Sequence, residues 1–177
     1  MKTLRSLAYD TVFEKRKLNH KIIEIENLKI KFPVATPMFL QDENLPKTYL
    51  SKPLVSIEGK SVFGELAILK CLQKDGWEGV WVDTFHGHGK TKVFWSDMPP
   101  KNIGTIPKHA ELLYDKIVEK NNGKSSGFFD VFAWKNNDFI FIEYKGNGDS
   151  SNQNELSWIE SAIQTGIKPE QMFFVSF

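Results

Sequence analysis

The chain has 177 residues, 41% of them hydrophobic and 25% charged, with a formal net charge of +1. Such a length suits one domain with a sizeable core, and the composition is that of a globular protein rather than a disordered one. The near-neutral balance carries no functional weight, because a protein that meets phosphates through a single cleft needs no basic total. The single cysteine, Cys71, excludes an intrachain disulfide and, flanked by Leu69 and Leu72, reads as a buried small hydrophobe. The sequence holds no run of eighteen apolar residues, so a membrane helix is not expected. The N-terminus lacks the apolar stretch of a signal peptide, and Asp10 and Glu14 argue against a transit peptide. A cytoplasmic location is the resulting expectation.

In chain order, residues 2–18 read as an amphipathic helix through Leu4, Leu7, Ala8 and Val12. It ends in Lys15-Arg16-Lys17, which suits a helix C-terminus, with a phosphate contact as the second reading. Residues 21–32 read as strand. Ile23 and Ile25 alternate with Glu24 and Glu26, then Leu28, Ile30 and Phe32 resume out of phase, which implies a turn or bulge at Asn27. Residues 33–60 carry Pro33, Pro37, Pro46 and Pro53 and read as irregular, with one short strand at 54–57. A helix follows over 61–75, opened by Ser61 and stopped near Gly76.

Residues 79–84 form a strand, and 85–104 read as loop with a short strand at 91–95. Thr105 and Pro107 open a helix whose apolar face is Ile106, Ala110, Leu113 and Ile117, and Gly123 closes it. Two strands at 127–134 and 138–145 meet at Asn136-Asn137. A helix over 150–165 ends at Gly166, and a last strand spans 171–176.

The hairpin centred on Asn136-Asn137 carries the chemistry. A symmetric register pairs Trp134 with Phe139, Phe132 with Phe141 and Asp130 with Glu143. Alternation places all six on one face, with Lys145 beside Glu143, and leaves Val131, Ala133, Ile140 and Ile142 on the other. Two carboxylates opposed on a sheet repel one another, the more so when buried. A structural ion network with Lys145 is one way to compensate. A divalent cation is another, since hard oxygen ligands suit Mg²⁺ or Mn²⁺. Phosphodiester hydrolysis gives such a trio a purpose, because it needs a metal to polarise the phosphate and a cation to steady the attacking water.

At these residues the chain resembles the PD-(D/E)XK nuclease superfamily: Asp130, a twelve-residue spacer, then Glu143-Tyr144-Lys145. Gly146-Asn147-Gly148-Asp149, Trp158 nine residues later, Gly166, and Gly127 ahead of Asp130 look like its VRR-NUC branch. The resemblance covers roughly 60–177 and is strongest over 127–166. The chain departs from the pattern in two places. Phe129 replaces a proline before the first Asp. Glu155 stands where the family has a glutamine, with Gln153 two residues earlier. Gln153 also fits a capping box with Ser150.

The resemblance implies that Asp130, Glu143 and the Tyr144 carbonyl bind one divalent metal, that Lys145 positions the attacking water, and that Glu65 on the preceding helix completes the site or binds a second metal. Glu65 shares a helix face with Val62, Ile68, Leu69 and Leu72, where a carboxylate needs a partner; a first-turn glutamate favoured by the helix dipole is the plainer reading. Gln153 and Glu155 are the candidates for the glutamine's role.

Gly87-His88-Gly89-Lys90-Thr91 ends like a phosphate-binding loop, but Thr84 stands where the first glycine is required and Lys92-Val93-Phe94-Trp95 reads as strand, so an NTPase site is rejected. His86, His88 and His109 lack the cysteine pair that would favour zinc. Lys90, Lys92 and Lys101 are candidate phosphate contacts, and Trp95 reads as packing before it reads as a base-stacking platform.

The expected fold is α/β, a restriction-endonuclease-like αβββαβ core at 60–177 with a small mixed sheet flanked by helices. Residues 1–59 are expected to form an N-terminal β-containing extension packed on that core. The function implied is Mg²⁺- or Mn²⁺-dependent hydrolysis of DNA, at branched or flapped structures, by a homodimer. A non-cleaving nucleic-acid-binding module and an RNA-directed nuclease are the alternatives.

Overall fold

The computed structural model describes residues 19–25, 28–35, 54–84, 93–98, 103–146 and 149–176. The helix expected over 2–18 and the side chains of His86, His88, Lys90, Lys92 and Lys101 lie outside these residues. The out-of-phase alternation on either side of Asn27 builds a hairpin. Strands β1 (Asn19–Ile25) and β2 (Leu28–Ala35) pair antiparallel with Ile25 opposite Leu28. The second strand runs through Pro33, which the sequence had assigned to irregular chain.

The helix expected from Ser61 begins later. Strands β3 (Leu54–Ile57) and β4 (Lys60–Phe63) form a second hairpin, with Ser61 opposite Ser56. The reason is local: Glu58 and Gly59 both take positive φ, 51° and 71°, the two-residue turn whose twist matches paired strands. Helix α1 (Gly64–Lys74) then starts after Phe63 with no side-chain cap. It buries Leu66, Ala67, Ile68, Leu69, Cys71 and Leu72.

From Gly64 onward the order of elements follows the expectation. Strands β5 (Glu78–Val82) and β6 (Phe94–Trp95) precede helix α2 (Lys108–Lys120), which opens after Pro107. The hairpin β7 (Val131–Lys135) and β8 (Asp138–Lys145), helix α3 (Gln153–Gln164), a 3₁₀ turn at Pro169–Gln171 and strand β9 (Met172–Ser176) complete the chain. The capping expectation for α3 is corrected. Its cap is Asn152, whose side chain accepts from the Glu155 N–H at 3.1 Å, rather than Ser150 paired with Gln153. Asn152 has its own acidic residue three positions on, so the same capping logic operates two residues later.

Seven strands form one mixed sheet in the order β1-β2-β9-β8-β7-β5-β6. β9 runs parallel to both β8 and β2, and the other pairs are antiparallel. The N-terminal hairpin therefore continues the sheet, attached where Val34 and Ala35 meet Phe174 and Val175.

Alternation divides the core into two layers. On one face α1 packs against Val131, Ala133, Ile140 and Ile142. On the other, aromatic residues of the sheet meet α2 and α3: Phe132, Trp134 and Phe141 pack with Tyr114 and Trp158. The candidate chemistry projects from β8 on this aromatic side, since Glu143 and Lys145 share the alternation phase of Phe141.

Candidate active site

The hairpin adopts the symmetric register, with Val131 opposite Ile142, Phe132 opposite Phe141 and Trp134 opposite Phe139. Asn136 takes a φ of 57° in the connecting turn, a conformation asparagine tolerates well. At the other end of the hairpin, beyond Val131 and Ile142, the ladder changes character. The Asp130 N–H donates to the Glu143 carboxylate at 3.3 Å, and the Asp130 carboxylate accepts from the Tyr144 N–H at 3.0 Å. Side-chain oxygens thus take over hydrogen bonds that a continuing ladder would give to carbonyls. The Asp130 carbonyl still accepts from the Val82 N–H at 2.7 Å, which holds the residue to β5. Asp130 is fixed on both sides while its carboxylate stays at the rim.

Lys145 lies on the same face. Its Nζ is 2.9 Å from Glu143 Oε1 and also pairs with Glu155. Glu143, Lys145 and Glu155 are all buried. Burial, followed by the nearby Asp130 charge, pushes the Glu143 carboxyl well above its usual range, against the opposing pull of Lys145. Burial by itself pulls the Lys145 ammonium down, but Glu143 and Glu155 outweigh it and hold Lys145 above its usual value. The lysine is therefore a fixed cation, and the carboxyl beside it is short of positive charge.

Helix α3 brings Glu155 to this place. Asn152 Nδ2 donates to Glu155 Oε1 at 3.1 Å, so that oxygen takes both the lysine and the cap amide, while the buried Oε2 has no hydrogen-bond partner among the described residues. A glutamate in the first helical turn also sits at the positive end of the helix dipole. The helix is held close to Asp130 by Gly127, whose φ is +82° and where a Cβ would overlap the Asn154 carbonyl. Phe129 stacks on Trp158 at 4.5 Å between ring centroids, joining the residue before Asp130 to the same helix. After Lys145, Asp149 folds back to accept from the Gly146 N–H at 2.9 Å.

Gln153, Glu65, Trp95 and His109 are also among the described residues. Gln153 is exposed on the first turn of α3. Glu65 is buried in the first turn of α1, and its neighbour Gly64 lies so close to the Tyr144 ring that a Cβ there would overlap it. Trp95 is buried and donates its indole N–H to Asp83 at 2.9 Å, so it is packing. His109 is exposed, with its ring against Phe139. Sequence reasoning missed Lys21, which reaches from β1 to donate to Ser151 Oγ at 2.7 Å. The alternation of β1 holds the signal, since Lys21 shares the phase of the buried Ile23.

Asp130 and Glu143 fit a divalent cation by the chemistry of their donors. They offer hard oxygens, and the raised Glu143 carboxyl marks charge that a cation would relieve. Among the described residues no group of three or more His, Cys, Asp or Glu side chains is arranged to hold a metal. Two carboxylates with water and substrate oxygens are what Mg²⁺ commonly takes. Comparison with protein-family models, curated proteins and solved structures gives no match for this chain.

Proposed function

We propose that this chain is a metal-dependent nuclease with a restriction-endonuclease-like core, hydrolysing phosphodiester bonds in DNA at branched or flapped structures. One observation carries the reading: two carboxylates cross-link the open end of a central hairpin, with a buried lysine on the same face. The succession α1, β5, β7, β8, α3, β9, with β6 and α2 inserted after β5, also supports it, because it keeps the αβββαβ order of such a core. In this reading Asp130 and Glu143 hold Mg²⁺ or Mn²⁺, with the Tyr144 carbonyl as a further oxygen. The bound cation supplies Lewis acidity toward the phosphate. Lys145 orients the attacking water and meets charge developing on the phosphate, while Glu155 keeps Lys145 protonated and aimed. The choice of DNA, and of branched DNA, rests on the family resemblance.

A second reading, a non-cleaving nucleic-acid-binding module, is favoured by the engagement of Lys145 with two carboxylates. Labelled duplex, flap and four-way DNA, with an RNA counterpart, incubated with Mg²⁺ or Mn²⁺ separates the two. Cleavage by wild type and none by Asp130→Ala is the expected result. Equal background from both proteins leaves only the binding reading.

A further inference from the structure

Lys21 stands outside the motif that suggested a nuclease, yet it faces the same site. It shares the β1 phase of Ile23, which packs in the aromatic layer with Phe32 and Phe174. Phe174 pairs with Glu143 in the sheet register, and the Lys21 Nζ lies 4.5 Å above the centre of its ring. From there it donates to Ser151, in the short segment between Lys145 and Glu155. Burial, then the like charge of Lys145, makes the Lys21 ammonium easier to deprotonate than usual, with Glu155 and Glu143 pulling the other way.

Its position sets up a charge mismatch. Among the described residues no carboxylate pairs with Lys21, and the acceptor it holds is a neutral hydroxyl. With a divalent cation bound, its carboxylate ligands ionise, so Asp130, Glu143 and Glu155 then bring three negative charges against the single positive charge of Lys145. A divalent cation cancels the surplus. Lys21 then adds one positive charge with no counter-charge, and a phosphodiester brings one negative charge.

We propose that Lys21 is a substrate-binding residue, holding a phosphate of the nucleic-acid strand beside the Asp130–Glu143–Lys145 site, so that the N-terminal hairpin is part of the substrate surface. The inference rests on the nuclease reading. The hydroxyl of Ser151 holds the ammonium in place until a phosphate oxygen replaces it, and the Phe174 face supports the side chain without neutralising it.

The test compares wild type, Lys21→Met and Lys21→Arg in two assays: DNA binding in Ca²⁺ at several salt concentrations, and cleavage in Mn²⁺. Lys21→Met keeps the alkyl packing on Phe174 and removes the charge. It is expected to weaken binding and raise KM about 10-fold, as the loss of one charge-assisted phosphate contact implies. It is also expected to flatten the dependence of log affinity on log salt by about one unit, as loss of one phosphate contact does. Lys21→Arg should restore both. A single neutral methylphosphonate walked along the strand should weaken wild type at one position and leave Lys21→Met indifferent there.

If wild type cleaves while Lys21→Met matches it in KM and salt slope, the lysine is only a clamp on Ser151 and the proposal is overturned with the nuclease reading intact. If wild type cleaves no better than Asp130→Ala, both fall. Should Lys21→Met lower the melting temperature, the salt slope of Lys21→Gln decides, since a purely structural role would not move it.

Discussion

The two ends of the β7–β8 hairpin are built on opposite principles. Towards the turn, Phe132 and Phe141 stack with ring centroids 4.9 Å apart and planes 3° from parallel, with Trp158 across Phe141. The charged residues at that end, Lys135 and Asp138, flank the turn, and the rings beneath them add buried apolar area. At the open end the cross-strand hydrogen bonds pass to carboxylates, and two buried glutamates pair with one lysine. One end holds the fold together. The other is tolerated because the first is strong, and stability and chemistry are thereby separated along a few residues of the same strands.

Truncating the aromatic end should have the largest effect on stability. Phe141→Ala is expected to lower the unfolding free energy by about 4 kcal/mol, since it opens a cavity in a fully packed layer. Denaturant melts check this, and a loss below about 1 kcal/mol would dissolve the contrast. At the open end the effect should fall on activity instead. Asp130→Ala should reduce cleavage about 10³-fold by removing a metal oxygen while leaving the melt of metal-free protein within about 1 kcal/mol of wild type.

A smaller effect sharpens the boundary between the ends. Gly127→Ala places a Cβ on the Asn154 carbonyl at positive φ, so it should cost about 2 kcal/mol. It should also lower activity, because displacing α3 moves Glu155 from Lys145. The smallest effect has the opposite sign. Glu143→Gln should stabilise metal-free protein at neutral pH by about 1 kcal/mol while abolishing cleavage, because it removes a buried charge that lies beside Asp130.

Its pH dependence follows from the raised Glu143 carboxyl. The folded protein holds that proton more tightly than the unfolded chain does. This group's stabilisation is therefore complete below the ordinary glutamate value of 4.5 and is lost as pH rises through the higher folded value. The stability of wild type relative to Glu143→Gln should fall as pH rises across that window. Saturating Mn²⁺ should reverse the trend for wild type alone.

The aromatic end and the hairpin register were legible in the sequence because strict alternation on both sides of Asn136-Asn137 admits one symmetric pairing. The site trio was legible for the same reason, being three residues of one phase. What escaped detection depended on turn chemistry and long range. Ser61 looked like a helix cap, but the positive φ values of Glu58 and Gly59 commit the chain to a hairpin first. Ser150 looked like a cap, but Asn152 with Glu155 is a stronger local solution. Glu155 appeared only as a departure from the family glutamine, although its position beside Lys145 makes it a partner of the site. Lys21 meets Ser151 across 130 positions of sequence, a distance that no periodicity spans.

Strand β9 lies between β8 and β2 although it follows every other described strand in the chain. During synthesis the β7–β8 hairpin can form from neighbours, whereas the N-terminal hairpin has no sheet edge to join until residues 172–176 are available. Asp130, Glu143, Lys145 and Glu155 come from one short stretch of chain, whereas Lys21, synthesised long before them, takes its place beside them only after β9 has joined the sheet. A chain still being made holds the Asp130–Glu143 pair before Lys21 can reach Ser151 and Phe174, so those contacts form only as the sheet is completed.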